Sequence, residues 1–246
     1  MAATISGAAR VAREGQRMNN TPINLRICFK KVGSLQYISH LDLVRTMHKI
    51  IVRSKLPLWY TEGFNPKPKM VFAAPLSVGT ESVVEIMDLR LSEKVESELA
   101  VAALNANMTD ELSVLHAYYP STPLTDMKWL SYRIRIKTAG ADEALATACR
   151  EALTSESVMI SKKTKSGADT ELNIRPLIKS VESAFCDGEI ELFCILSSDP
   201  SSFLNPRYVI QYLSDRLGIL KSENLLSESY SIMREGAFFA DMTPFN

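Results

Sequence analysis

Hydrophobic and polar positions alternate from Ile23 to Lys31, with Ile23, Leu25, Ile27 and Phe29 on one parity, and this period of two predicts a half-buried strand. The period then changes. Ser39 stands as an N-cap with Asp42 three residues on, and Leu43, Val44, Met47, Ile50 and Ile51 make the apolar stripe of a helix running to about Ser54, before Pro57 forbids continuation. Met70–Ala74 and Ser82–Leu91 read as strands, Ser92 as the cap of a helix to about Ala106, and Leu112–Tyr119 as a further strand. The order is βαββαβ. Beyond Pro120 and Pro123 it begins again: a strand through Tyr132, Ile134 and Ile136, a helix from about Asp142 to Leu153, a strand Val158–Lys162, then strand Glu189–Leu196, helix Asn205–Leu217 and strand Leu226–Met233.

This pattern predicts an α+β protein of two tandem ferredoxin-like (βαββαβ) domains with antiparallel sheets, at residues 22–124 and 125–246. Residues 163–188 are an irregular insertion with room for a short helix. Residues 1–21 read as a disordered extension, basic through Arg10, Arg13 and Arg17, and Met18 is a candidate start.

Composition changes the picture only locally. The 28 Lys and Arg balance the 28 Asp and Glu, so a nucleic-acid site has to be a patch rather than a property of the whole chain. Residues 26–69 carry nine basic and two acidic side chains, and residues 81–126 carry two basic and nine acidic ones. At 100° per residue Asp42, Arg45, Lys49 and Arg53 share one helix face, opposite the apolar stripe. Tyr37, Trp59, Tyr60 and Phe64 interleave with the basic residues, as in sites where cations meet phosphate and rings stack bases. An ordinary solvated face, neutralised across the sheet by the acidic segment, explains the same letters.

The segment from Thr61 to Lys69 has the make-up of a fixed connection. Gly63 permits positive φ, Pro66 and Pro68 stiffen the chain, and Asn65, Lys67 and Lys69 are placed to grip phosphate or to cap the sheet. Glu81 and Glu85 read as a surface carboxylate pair. A lysine-rich turn through Lys162, Lys163 and Lys165, followed by Asn173-Ile174-Arg175-Pro176, is a secondary phosphate-contacting candidate.

No catalytic motif stands out. The cysteines Cys28, Cys149, Cys186 and Cys194 are scattered without a C-x-x-C pair, and His40, His48 and His116 show no metal-ligand spacing, so no metal and no cofactor are expected and the thiols read as reduced and partly buried. No run of apolar residues is long enough to span a bilayer, and cytoplasmic location without membrane contact is the expectation. His40, the first residue after the cap, is either a structural histidine or a base.

The strings Tyr37-Ile38-Ser39-His40-Leu41-Asp42, Leu56-Pro57, Gly63-Phe64-Asn65-Pro66-Lys67-Pro68 and Pro75-Leu76-Ser77-Val78-Gly79 resemble the radical-SAM-linked proteins. These are an uncharacterised family encoded beside, or fused to, a cobalamin-binding radical S-adenosylmethionine enzyme. The resemblance runs from about Ile23 to Met233 and includes Lys163-Thr164-Lys165 and Ile174-Arg175-Pro176-Leu177-Ile178. Lys55 and Lys67 stand where that family often has Arg or His, which keeps the charge and loses bidentate chemistry. The chain carries no C-x-x-x-C-x-x-C cluster motif, so the resemblance implies a linked module without the iron–sulfur chemistry.

The resulting expectation is a non-catalytic accessory protein presenting a substrate, with RNA as the guess, to a radical S-adenosylmethionine enzyme. Arg45, Lys49, Arg53, Asn65, Lys67 and Lys69 would contact nucleic acid, with Tyr37 as a further base contact, while Ser39, His40, Asp42, Gly63, Pro66 and Pro68 would build the motif. Two alternatives stay open: a metal-independent endoribonuclease using His40, by analogy of fold only, and a protein-only adaptor.

Overall fold

The computed structural model describes residues 21–163, 169–222, 224 and 226–245. The described residues form a mixed α+β structure with four α-helices and one large, mostly antiparallel sheet. In chain order the elements are β1 (Ile23–Lys31), α1 (His40–Arg53), β2 (Met70–Phe72), β3 (Glu81–Leu91), α2 (Ser97–Asn105), β4 (Leu112–Tyr118), β5 (Trp129–Lys137), α3 (Glu143–Thr154), β6 (Met159–Lys163), β7 (Asp169–Asn173), β8 (Ile178–Cys186), β9 (Glu189–Ser197), α4 (Arg207–Leu217) and β10 (Ser229–Phe238). Short 3-10 turns occupy Gly33–Tyr37, Leu124–Asp126 and Arg175–Leu177.

Eight strands join in one sheet of order β4-β1-β3-β10-β5-β9-β8, with β2 added beside β3. The parallel pairing of β10 with β3, Met233 opposite Glu81 and Arg234 opposite Ser82, makes the two halves one sheet. Leu25, Ile27 and Phe29 of β1 and Met87, Leu89 and Leu91 of β3 pack with Leu43, Met47, Ile50 and Ile51 of α1 and Ala100 and Leu104 of α2. That alternation on β1 is the period-two signal of the sequence. A second, larger core gathers Leu130, Tyr132, Ile134 and Ile136 of β5 with Ala146, Cys149 and Leu153 of α3 and Val209, Ile210 and Leu213 of α4, and it also takes in Cys28, Ala74 and Ile86 from the first half. Burying each large apolar side chain contributes about 1.5–3 kcal/mol.

The structure departs from the sequence pattern at several elements. The second helix starts at Ser97 with Glu96 at the cap position, because Ser92 is engaged elsewhere: its backbone N–H and its hydroxyl both donate to the carbonyl of Pro57, at 2.8 and 3.2 Å. The strand at 159–163 lies outside the large sheet, paired with β7 in a separate hairpin, and the edge strand of the second half is instead β8, within the stretch expected to be an irregular insertion. The short helix of that insertion is a single 3-10 turn at Arg175–Leu177. The last strand begins later and runs further than expected, to Phe238, where the chain turns back so that the Phe245 N–H donates to Ala237 O at 2.8 Å. Residues 1–20, the bulk of the expected extension, and residues 164–168 of the lysine-rich turn lie outside the described residues. Among the described residues no helix is long and apolar enough to cross a membrane.

Candidate nucleic-acid interface

Helix α1 begins where the sequence places it. Ser39 is extended at φ −70°, its Oγ accepts from the Asp42 N–H at 3.2 Å, and the same hydroxyl donates to Asp42 Oδ2 at 2.7 Å. With the apolar stripe buried, Arg45, Lys49 and Arg53 face solvent, about 6 Å apart along the axis at 1.5 Å per residue. Arg45 shares Asp42, Nη1 to Oδ1 3.1 Å, and both groups are exposed, so that pair contributes little. Among the described residues no carboxylate forms an ion pair with Lys49, Arg53, Lys67 or Lys69.

The segment after α1 folds back on itself. The Thr61 N–H donates to Lys67 O at 2.8 Å, the Lys69 N–H to Trp59 O at 3.0 Å, and the Lys67 N–H to Thr61 Oγ1 at 3.1 Å, with Tyr60 bridged to Pro68. Both legs are tied to Arg90 of β3: the Trp59 N–H donates to its carbonyl and its N–H donates to Lys69 O, each at 2.9 Å. Gly63 sits at φ +118°, a conformation that only glycine adopts without strain, at the tip where Phe64 is fully exposed.

Between helix and loop lies an open groove of about 580 Å³, lined by Arg45, Lys49, Arg53 and Lys67 with His48, and floored by Val52, Tyr60, Pro66 and Pro68. Four of the six expected nucleic-acid contacts, from two separate segments, therefore converge. Asn65 and Lys69 are exposed on the same loop without lining the groove, and Tyr37, 70% exposed, stands on the Gly33–Tyr37 turn apart from it. His48 was missed as a candidate. It falls between Arg45 and Lys49 on the helix, and the signal that could have found it is its place one turn from each of Arg45 and Val52. Burial, and then the charge of Lys67, hold its imidazole below the ordinary histidine range.

His40 is elsewhere. Its ring stands edge-on to Phe72 at 5.2 Å between centroids, and Nδ1 is buried without a hydrogen-bond partner among the described residues. The backbone bond expected of a structural histidine is absent at that atom. Glu81 and Glu85 are not a surface pair either: Glu81 accepts from the Gly33 N–H at 2.6 Å, while Glu85 is buried against Arg234, Nη1 to Oε1 2.7 Å. Part of the acidic segment does neutralise basic side chains across the sheet, since Arg26 is buried on Asp88 at 2.7 Å and Lys31 is buried near Glu85 and Glu81. The cations of α1 and of the loop are left out of that pairing.

Arg175, in the secondary candidate, turns inward, its Nη1 donating to Ile178 O at 2.8 Å, and Asn173 Oδ1 accepts from the Val158 and Arg175 N–H groups. Lys162 lies 5.7 Å from the Tyr208 ring centre. No cluster of three or more metal-ligating side chains occurs among the described residues.

Residues 24–206 match the family described as an uncharacterized protein conserved in bacteria, DUF2344. The chain belongs to this family. The match spans β1 through the turn before α4, so the capped helix, the stiffened loop and the groove between them all fall inside the family's boundaries. No curated protein matches the chain.

Proposed function

We propose that the protein is a non-catalytic accessory module that holds RNA in the groove between α1 and the 61–69 loop and presents it to a radical S-adenosylmethionine enzyme. The observation that carries the RNA reading is the convergence of Lys49, Arg53 and Lys67 on one groove without ion-pair partners among the described residues. Unpaired cations around an apolar floor suit a polyanion with flat apolar groups. The enzyme partner rests on the sequence resemblance alone. In the same reading each half is a ferredoxin-like unit, since both the strands β4-β1-β3-β2 and the strands β10-β5-β9-β8 place the first and third strands side by side at the centre.

Replacing Arg45, Lys49 and Arg53 together by Ala tests the site. Each lost phosphate contact lowers the slope of log K against log salt by about 0.7 for a single strand, so the triple variant should lower it by about 2 and weaken binding at least tenfold at low salt. Unchanged affinity and slope would reduce the basic line to a solvated face. The partner is tested by co-purification from native lysate with protein and RNA both sequenced. A protein-only adaptor would bring the enzyme down with no enriched RNA. Cleavage of RNA in EDTA, lost in His40→Ala, would favour the nuclease, although His40 does not line the groove.

A further inference from the structure

The cations account for only one side of the groove. Its floor is Val52, Tyr60, Pro66 and Pro68, and Tyr60 is 43% exposed there, while Phe64 at the tip of the same loop is fully exposed. An A- or B-form duplex presents a rim of phosphates and sugars to a surface, with its bases stacked inside; such a rim would use the cations and leave an apolar floor and two solvated rings without a role. A strand whose bases are unpaired uses both, because phosphates reach the rim while a splayed base lies against an aromatic or proline face. The size agrees, since about 580 Å³ falls in the usual range of about 300–1,000 Å³ for clefts that take a small ligand such as a single base and its sugar.

We infer that the groove selects single-stranded RNA by taking an unpaired base against Tyr60 and the Pro66–Pro68 wall, with Phe64 stacking a neighbouring base and the cations of α1 holding the intervening phosphates. Arg45, Lys49 and Arg53 lie on one line at steps of four residues, so the strand runs along the helix axis rather than across it. His48, which lines the groove between two of the cations, is placed to exchange a hydrogen bond with the base or sugar. The inference rests on the RNA reading of this groove and adds to it the strandedness of the ligand and the rings that read it.

The test is fluorescence anisotropy with the full chain and three probes: a labelled single-stranded RNA of ten nucleotides lacking self-complementarity, the same strand annealed to its complement, and inorganic phosphate as competitor. The single strand should bind at least tenfold more tightly than the duplex, and phosphate should compete only weakly. Tyr60→Ala and Phe64→Ala should each weaken single-strand binding about fivefold to a hundredfold, the range of a stacking contact of about 1–3 kcal/mol, while leaving the salt slope and duplex binding unchanged. Tyr60→Phe should restore the preference. Phe64 is fully exposed, so its variant keeps the fold, and Tyr60→Phe controls for the other ring. Equal affinity for single strand and duplex, or a preference unmoved by both ring variants, overturns the inference and leaves the RNA reading standing. Failure of both the single strand and the duplex to bind overturns the inference and the RNA reading together.

Discussion

Arg234 reaches from β10 to Glu85 of β3 with both side chains 3% exposed, and its guanidinium also donates to Ala74 O at 3.0 Å and to the Tyr132 hydroxyl at 3.2 Å. A buried pair so completely bonded costs little while intact and much when halved, because the survivor stays desolvated. Arg234→Met should therefore lower stability by about 3–5 kcal/mol in urea unfolding, whereas removing both charges together should cost less than the sum of the two single changes. At His48 the relevant neighbour is Lys67. Lys67→Met should move the His48 titration upward, toward the ordinary value of about 6.5, as read by NMR; an unmoved midpoint would leave burial as the whole cause. The sign for folding follows. The folded imidazole takes a proton less readily than the unfolded one, so stability falls as pH drops through and below that ordinary value, and the loss should shrink in Lys67→Met. Burial likewise pushes the Cys28 and Cys149 thiols up to about 11 and that of Cys194 to about 12, so at pH 8 iodoacetamide should modify the exposed Cys186 first, although Asp187 raises its thiol as well.

At the scale of elements, α1 was readable because three independent signals agreed: the Ser39 cap with Asp42, the apolar spacing through Ile51, and the stop before Pro57. Ser39→Ala should cost about 1 kcal/mol by thermal unfolding and Ser39→Asn should recover most of it, since the lost bond is the one to the Asp42 N–H. Helix α2 starts later than its letters suggest because Ser92 has the letter of a cap and the job of a tie to Pro57. The hairpin β6–β7 departs from the sequence pattern for a different reason. Local alternation reports that a segment is extended, and nothing in it says which strand it pairs with. The groove was half legible. Periodicity gave the line of Arg45, Lys49 and Arg53, but bringing Lys67, Tyr60, Pro66 and Pro68 opposite it depends on backbone bonds between residues six and ten apart, and on Arg90, which no spacing rule supplies.

At the scale of the whole molecule, what the sequence could not disclose is the joining of the early strands and the late strands into one sheet. The parallel contact of β3 with β10 pairs residues about 150 apart, and Asn205 Nδ2, just before α4, donates to Ser77 Oγ at 2.9 Å. Phe245 adds a third tie, its ring 4.9 Å from the Arg26 guanidinium in the first half. The protein should accordingly unfold in one cooperative transition by calorimetry, and Phe245→Ala should lower stability by about 3–5 kcal/mol while making Cys28, which shares its core, reactive to alkylation. Two separate transitions would mean that these ties are weak.

The anchoring of the 59–69 turn to Arg90 has one more effect. Because both of its legs are hydrogen-bonded to β3, the wall opposite α1 is held in place by folding itself, and in the proposed RNA reading an incoming strand would spend little of its interaction energy on ordering the host. Association should then be quick and governed by fit, with most differences among sequences appearing in how long each one stays.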